Sequence, residues 1–176
     1  KHGIILNEKT DMKAFYAELE ELMELVKDQL LERFEIQCSK RVYNFPFLLG
    51  QGVWIDSEKL KPTDKLRKVL KHGTLTIGFI GPAERLKALI GKHHGESDSS
   101  QNLGIEIITK LRDLCTDFAE KYDLNFSVIA TPAEGLSGRF TKKDRKDFGI
   151  IPGITDRDYY TNSNHVPVWY KCTAEK

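Results

Sequence analysis

Short apolar runs alternate with helical patterns between residues 75 and 148, and this alternation constrains the fold more than anything else in the chain. Residues 75–80 and 126–130 are brief, nearly continuous apolar stretches, which read as strands buried on both faces. Each is followed by a helix signal. Pro82 opens one helix over residues 82–89 and Gly91 stands where a helix stops. Residues 98–122 carry Leu103, Ile107, Leu111, Leu114, Phe118 and Tyr122 on one face. A further helix is predicted over residues 136–148. Buried strands separated by helices imply a parallel sheet with helices covering it, an α/β fold.

The flanking segments extend the pattern. Met12, Phe15, Leu19, Leu22, Val26, Leu30 and Phe34 recur at helical spacing, with Asn7 or Thr10 as a cap, so residues 10–36 are expected to form a long helix with a solvated Glu/Lys face. Residues 42–49 read as a strand broken by Pro46 and closed by Gly50-Gln51-Gly52. Residues 60–70 read as a short helix with Pro62 in its first turn. A turn at Pro152-Gly153 and a last strand over 165–170 bring the expected sheet to about four strands. Neither an internal repeat nor a low-complexity segment is present.

Composition narrows the function classes. Among 176 residues, 27 Lys and Arg face 26 Asp and Glu for a net charge of +1, so no broad basic field invites nucleic acid. Cys38, Cys115 and Cys172 are widely spaced free thiols without a C-x-x-C pair, which suits a reducing cytoplasm. No apolar run approaches the roughly 20 residues that span a bilayer. A cytoplasmic protein without nucleic-acid or membrane partners is expected. The chain begins Lys1-His2-Gly3 and stops in a charged run just after an apolar segment, so both ends read as cut.

The stretch Ala130-Thr131-Pro132-Ala133-Glu134-Gly135-Leu136-Ser137-Gly138 follows an apolar strand and opens a helix. The first N–H groups of a helix lack partners within it, and with the positive end of the helix dipole they attract anions. Gly135 and Gly138 permit close backbone approach, and the Thr131 and Ser137 hydroxyls are additional donors. The candidate phosphate-binding residues are therefore Thr131, Ala133, Glu134, Gly135, Leu136, Ser137 and Gly138, with the Glu134 carboxylate turned aside. No P-loop or dinucleotide fingerprint accompanies them. A plain strand-to-helix turn is the competing reading.

Other constellations are weaker. His93-His94-Gly95-Glu96-Ser97-Asp98 places imidazoles and carboxylates close in sequence, but adjacent histidines rarely face one ion, and Ser97 or Asp98 suits a helix cap. No metal site is assigned. Asn162, Ser163 and His165 sit in a polar run before the last apolar segment and are candidate pocket-lining residues. Neither a Ser/His/Asp triad nor a nucleophilic Cys with a neighbouring base can be argued, so no catalytic residue is assigned.

Several segments together resemble one family in order: Asn44-Phe45-Pro46-Phe47-Leu48-Leu49-Gly50-Gln51-Gly52-Val53-Trp54, His72-Gly73-Thr74-Leu75-Thr76-Ile77-Gly78-Phe79-Ile80-Gly81, Gly91-Lys92-His93-His94-Gly95-Glu96-Ser97, the 131–140 turn, and Ile151-Pro152-Gly153-Ile154-Thr155-Asp156 with residues 159–168. The resemblance, across essentially the whole chain, is to the anaerobic (class III) ribonucleoside-triphosphate reductases, which are glycyl radical enzymes. Pro82 stands where the family pattern suggests a larger apolar residue, and Asn164 where it suggests Phe.

The resemblance implies a ten-stranded α/β barrel built from two parallel five-stranded halves, with residues 1–176 forming a single partial domain from the second half. It implies a parent enzyme that reduces ribonucleoside triphosphates to deoxyribonucleoside triphosphates for DNA replication, commonly with formate as reductant. The thiyl cysteine, the radical glycine and a structural zinc site would lie outside this segment, leaving it without a cofactor of its own and inactive in isolation. The implied parent is a homodimer served by a radical-SAM activating enzyme. In relatives across ribonucleotide reductase classes, a turn at this place holds the substrate phosphates. Two alternatives stand beside this reading: another glycyl radical enzyme of the formate-lyase type, and a non-catalytic α/β binding or assembly module.

Overall fold

The computed structural model describes residues 11–171; Asn7, Thr10 and Cys172 lie outside them. Helix α1 spans Met12–Cys38, α2 Arg67–Leu70, β1 Thr74–Phe79, α3 Pro82–Ile90, α4 Asp98–Tyr122, β2 Asn125–Ala130 and α5 Glu134–Phe148, with 3-10 turns at Val42–Asn44 and Ser57–Lys59. The two strands pair with each other. Asn125 donates to the Gly73 carbonyl (3.2 Å), the Thr76 and Ser127 hydroxyls meet (3.1 Å), and Thr131 N–H donates to Phe79 (3.2 Å). Partner numbers rise together along both strands, so the pairing is parallel.

The chain groups into two compact units, one made of Lys1–Phe15, Gly78–Arg112 and Val128–Lys176, the other of Tyr16–Ile77 and Asp113–Ser127. In the second, Val42, Leu49, Leu66 and Val69 form a buried cluster flanked by Phe45, Trp54, Leu60 and Leu70. The strand expected over 42–49 is absent. Asn44 Oδ1 accepts from Arg41 N–H (3.0 Å) and Phe45 N–H returns to Val42 (2.9 Å), so local hydrogen bonds curl the chain before Pro46 removes a further donor. The helix expected over 60–70 shrinks to α2 for a similar reason. Asp64 Oδ2 accepts from Lys61 N–H (2.9 Å) and holds a turn where helix was expected.

Not all of α1's charged residues form a solvated face. Lys27 is 4% exposed, with its ammonium near the Phe118 and Tyr122 rings (5.6 and 5.4 Å) and paired with Glu24 and Asp28 (2.5 and 2.9 Å). At the start of α1, Asp11 Oδ1 accepts from Ala14 N–H (3.0 Å), so Asp11 supplies a cap.

In the first unit, α3 is bracketed as its sequence suggests. Gly81 (φ 71°) precedes Pro82 at the first helical position, and Gly91 (φ 79°) ends the helix by donating to Lys87 (2.9 Å). Pro82 suits this position, where the missing N–H would have no partner within the helix. Ser97 caps α4, accepting from Ser100 N–H at 3.3 Å. Ile151, Ile154 and Tyr160 form a small buried cluster with Ala88 beside it.

The strand expected over 165–170 is also absent. Pro167 interrupts the donor series and Tyr170 N–H turns back to Pro167 (2.8 Å). Its aromatic residues make individual contacts, Trp169 against Arg157 (4.5 Å) and Tyr170 edge-on to His93 (4.6 Å). The described residues therefore contain two of the roughly four strands expected.

Candidate functional site

The turn that joins β2 to α5 lies at the carboxyl ends of both strands, the side of a parallel sheet where ligands gather. Pro132 has no N–H to donate. Ala133 then adopts the left-handed region (φ 39°, ψ 41°), and Glu134 begins the right-handed helix. Consecutive residues of opposite hand turn their N–H groups toward one side and form a shallow anion-binding concavity. The N–H groups of Ala133, Glu134 and Gly135 have no acceptor among the described residues. All three are also the orphan donors at the positive end of a 15-residue helix.

The expected site residues divide into two groups. Thr131, Ala133, Glu134 and Gly135 make up the turn itself, with Glu134 and Gly135 exposed. A Cβ built on Gly135 meets nothing within 4 Å, so that side of the turn is open. Leu136 and Ser137 instead donate their N–H groups to the Ala133 carbonyl (2.9 and 3.0 Å). Ser137 is 2% exposed, and its hydroxyl donates to the Glu134 carbonyl (3.0 Å). The hydroxyl expected to serve a ligand is thus turned into the first helical turn. Gly138 lies inside α5, where a Cβ would stand 3.2 Å from the Asp158 carbonyl.

Segment 160–163 runs beside this turn. Tyr160 N–H reaches Ser137 (3.5 Å), while Ser163 donates its N–H to Thr131 (3.0 Å) and its hydroxyl to Ala130 (3.4 Å). Asn162 is half-buried, with a buried side-chain oxygen that has no partner among the described residues. His165 does not join the site: its side chain is exposed and its N–H returns to Asn162 (3.3 Å).

Sequence reasoning missed the anchor of this segment. Glu84, 3% exposed, accepts from Thr161 N–H (3.2 Å), the Thr161 hydroxyl (2.6 Å) and Arg157 (2.7 Å). Gly81 N–H donates to the Thr161 carbonyl (2.9 Å). A glutamate in the first turn of a helix ordinarily reads as solvated, so the sequence carried no signal for this role. Gly78 was also missed as a site residue. Its absent side chain makes room for Thr131, whose Cγ2 lies 3.0 Å from where a Cβ would be.

Within the histidine cluster, His93 and Glu96 serve their own turn. His93 is 4% exposed; its N–H donates to Glu96 (2.7 Å) and its Nδ1 accepts from Gly95 (3.1 Å). Burial holds its pKa below the usual value of 6.5, against a smaller upward pull from Glu96. Among the described residues, no three His, Cys, Asp or Glu side chains gather as a metal would require, and no helix is long and apolar enough to cross a membrane.

Comparison with known proteins adds an independent line of observation. A family model described as anaerobic ribonucleoside-triphosphate reductase matches residues 3–176. The enzyme of that name from Salmonella typhimurium is 33% identical over 168 residues, covering 94% of this chain and 23% of its own length. Its counterpart from Escherichia coli is 32% identical over the same shares of both chains. The enzyme of that name from Enterobacteria phage T4 is 31% identical across 94% of this chain and 25% of its own length. The chain thus spans about a quarter of the length of these curated relatives.

Proposed function

The chain belongs to the anaerobic ribonucleoside-triphosphate reductase family, and from that membership we propose that it is the substrate-holding segment of an enzyme that makes deoxyribonucleoside triphosphates by glycyl and thiyl radical chemistry. Its relatives carry a substrate class in their name: ribonucleoside triphosphates. Such a ligand brings several negative charges and many acceptor oxygens, so it needs a concentration of donors. The observation that carries the proposal is the set of three N–H groups at Ala133, Glu134 and Gly135 that have no acceptor among the described residues and stand at a helix start behind a left-handed residue. Charge-assisted bonds from such donors are shorter and stronger than neutral ones.

In this reading Ala133, Glu134 and Gly135 bind phosphate oxygens directly, and the Thr131 hydroxyl adds a donor. Leu136, Ser137 and Gly138 hold the helical turn that keeps the donors in place. The Glu134 side chain faces away from the phosphates. The β1–β2 pair contributes to the larger parallel barrel of the parent, whose glycyl radical and zinc reside in other segments. The radical chemistry belongs to those segments, and this one binds and orients.

Gly135→Val in the full-length enzyme tests the proposal. The new side chain meets no atom of the described residues within 4 Å of its Cβ, so it occupies ligand space at little cost to packing. A loss of ribonucleoside-triphosphate affinity with radical formation intact supports the reading. Unchanged affinity rejects it.

A further inference from the structure

We propose that Ser163 is a positioning residue for the phosphate-binding turn, acting through its left-handed backbone; this rests on the phosphate reading above. The internal bonds of the turn hold its helical side, where Leu136 and Ser137 donate to the Ala133 carbonyl, and leave its strand side without any of their own. Pro132 offers no N–H, and the donors of Ala133, Glu134 and Gly135 point at no acceptor among the described residues. The Thr131 peptide is therefore fixed from outside, on two sides. Its N–H donates to Phe79 (3.2 Å) and its carbonyl accepts from Ser163 N–H (3.0 Å). Gly78 lets the Thr131 side chain settle against β1, with Cγ2 only 3.0 Å from the missing Cβ.

Ser163 has φ 51°, in the region that side chains disfavour. Ala133, two residues after Thr131, is left-handed as well. Non-glycine residues persist in that region where their surroundings over-determine them, and they concentrate at ligand sites. The surroundings of Ser163 are visible: Glu84 and Gly81 clamp Thr161, two residues upstream, through three hydrogen-bonding groups. Segment 160–163 is thus a braced strut whose end carries the Ser163 N–H to the Thr131 carbonyl. The hydroxyl bond to Ala130, at 3.4 Å, is the weaker of its two contacts. Backbone conformation, more than the hydroxyl, makes Ser163 the positioning residue.

The test is a series at position 163 in the full-length enzyme, read by equilibrium binding of CTP with cytidine as the phosphate-free control, and by KM against kcat. Glycine and asparagine tolerate the left-handed region, alanine less, and the β-branched valine least. S163G and S163N should bind CTP within about twofold of the parent. S163V should bind it about tenfold more weakly, the effect of losing roughly one well-placed hydrogen bond and the order it imposes. Cytidine binding should be unchanged throughout, and the loss should appear in KM with kcat nearly constant. Should S163V fail to fold, S163A against S163N decides the same point, with alanine the weaker binder. Equal CTP affinity across the series, or S163G as weak as S163V, overturns the proposal. Gly135→Val separates the two ideas: if it weakens CTP binding while S163V does not, the positioning role fails and the phosphate reading stands; if it leaves CTP binding unchanged, the phosphate reading fails and the positioning role with it.

Discussion

Thr161 gives both its N–H and its hydroxyl to the buried Glu84 carboxylate, at 3.2 and 2.6 Å, joining residues 77 positions apart in sequence. Arg157 adds a third donor at 2.7 Å, and its guanidinium stacks on Trp169 at 4.5 Å. A carboxylate this enclosed is tolerated because its acceptors are filled. Removing it takes the nearer of the two carboxylates beside Arg157, leaving Asp156 at 3.7 Å, and leaves Thr161 without its acceptor. Glu84→Ala should therefore cost roughly 1 to 3 kcal/mol of stability, measurable as a lowered denaturant midpoint. Glu84→Gln should lose less, since an amide oxygen still accepts.

A second prediction concerns Gly78. Substitution by valine places a Cβ about 3.0 Å from Thr131 Cγ2 and 3.1 Å from its Cβ. Thr131, whose N–H is bonded to Phe79, must then give by a few tenths of an ångström. Gly78→Val should lower stability by roughly 1 to 3 kcal/mol and weaken triphosphate binding together. Gly91→Ala, by contrast, meets no neighbour but strains a left-handed helix stop, so it should affect stability and spare binding.

Acid should destabilise the fold through His93. Burial depresses its folded-state pKa below 6.5, so the folded state prefers the neutral imidazole. The resulting stability is fully present above the unfolded value and is lost as pH falls toward the folded one. Thermal melting should drop between pH 7.5 and 5.5. His93→Asn, whose side-chain oxygen can accept from Gly95 in place of Nδ1, should flatten that part of the profile; an unchanged slope would show that other groups carry it.

Lys27 should respond like an interior residue although it reads as a surface one. Its ammonium lies near two aromatic rings and contacts two carboxylates while the residue is 4% exposed. Lys27→Ala removes a buried stem as well as a charge and should cost roughly 1 to 3 kcal/mol. Lys13→Ala on the exposed part of α1 should stay within about 0.5 kcal/mol. Chemical denaturation of both variants checks the contrast.

Lys27 also illustrates which parts of the fold were legible. Periodicity located α1, α3, α4 and α5 to within a few residues, because long amphipathic patterns and the Pro82 and Gly91 signals are local. The strands β1 and β2 were legible as short apolar runs, but the burial on both faces expected of them is not found: each leaves residues exposed, and β2 has no fully buried residue. Residues 42–49 and 165–170 were misread as strands because apolar content resembles strand content, while Asn44 and Pro167 decide the backbone through short-range hydrogen bonding. At the site, the turn after β2 was visible in sequence as a strand running into a helix. The left-handed Ala133 was not, since alanine gives no sign of that conformation, and the Glu84–Thr161 clamp depends on tertiary contact alone.

The most direct test of the account is a crystal structure of the full-length enzyme soaked with a ribonucleoside triphosphate, judged by where the phosphates lie. The account predicts phosphate oxygens about 2.7 to 3.1 Å from the N–H nitrogens of Ala133, Glu134 and Gly135, with Ser163 still donating to Thr131. Phosphates bound elsewhere, with those three donors left facing solvent, would contradict it.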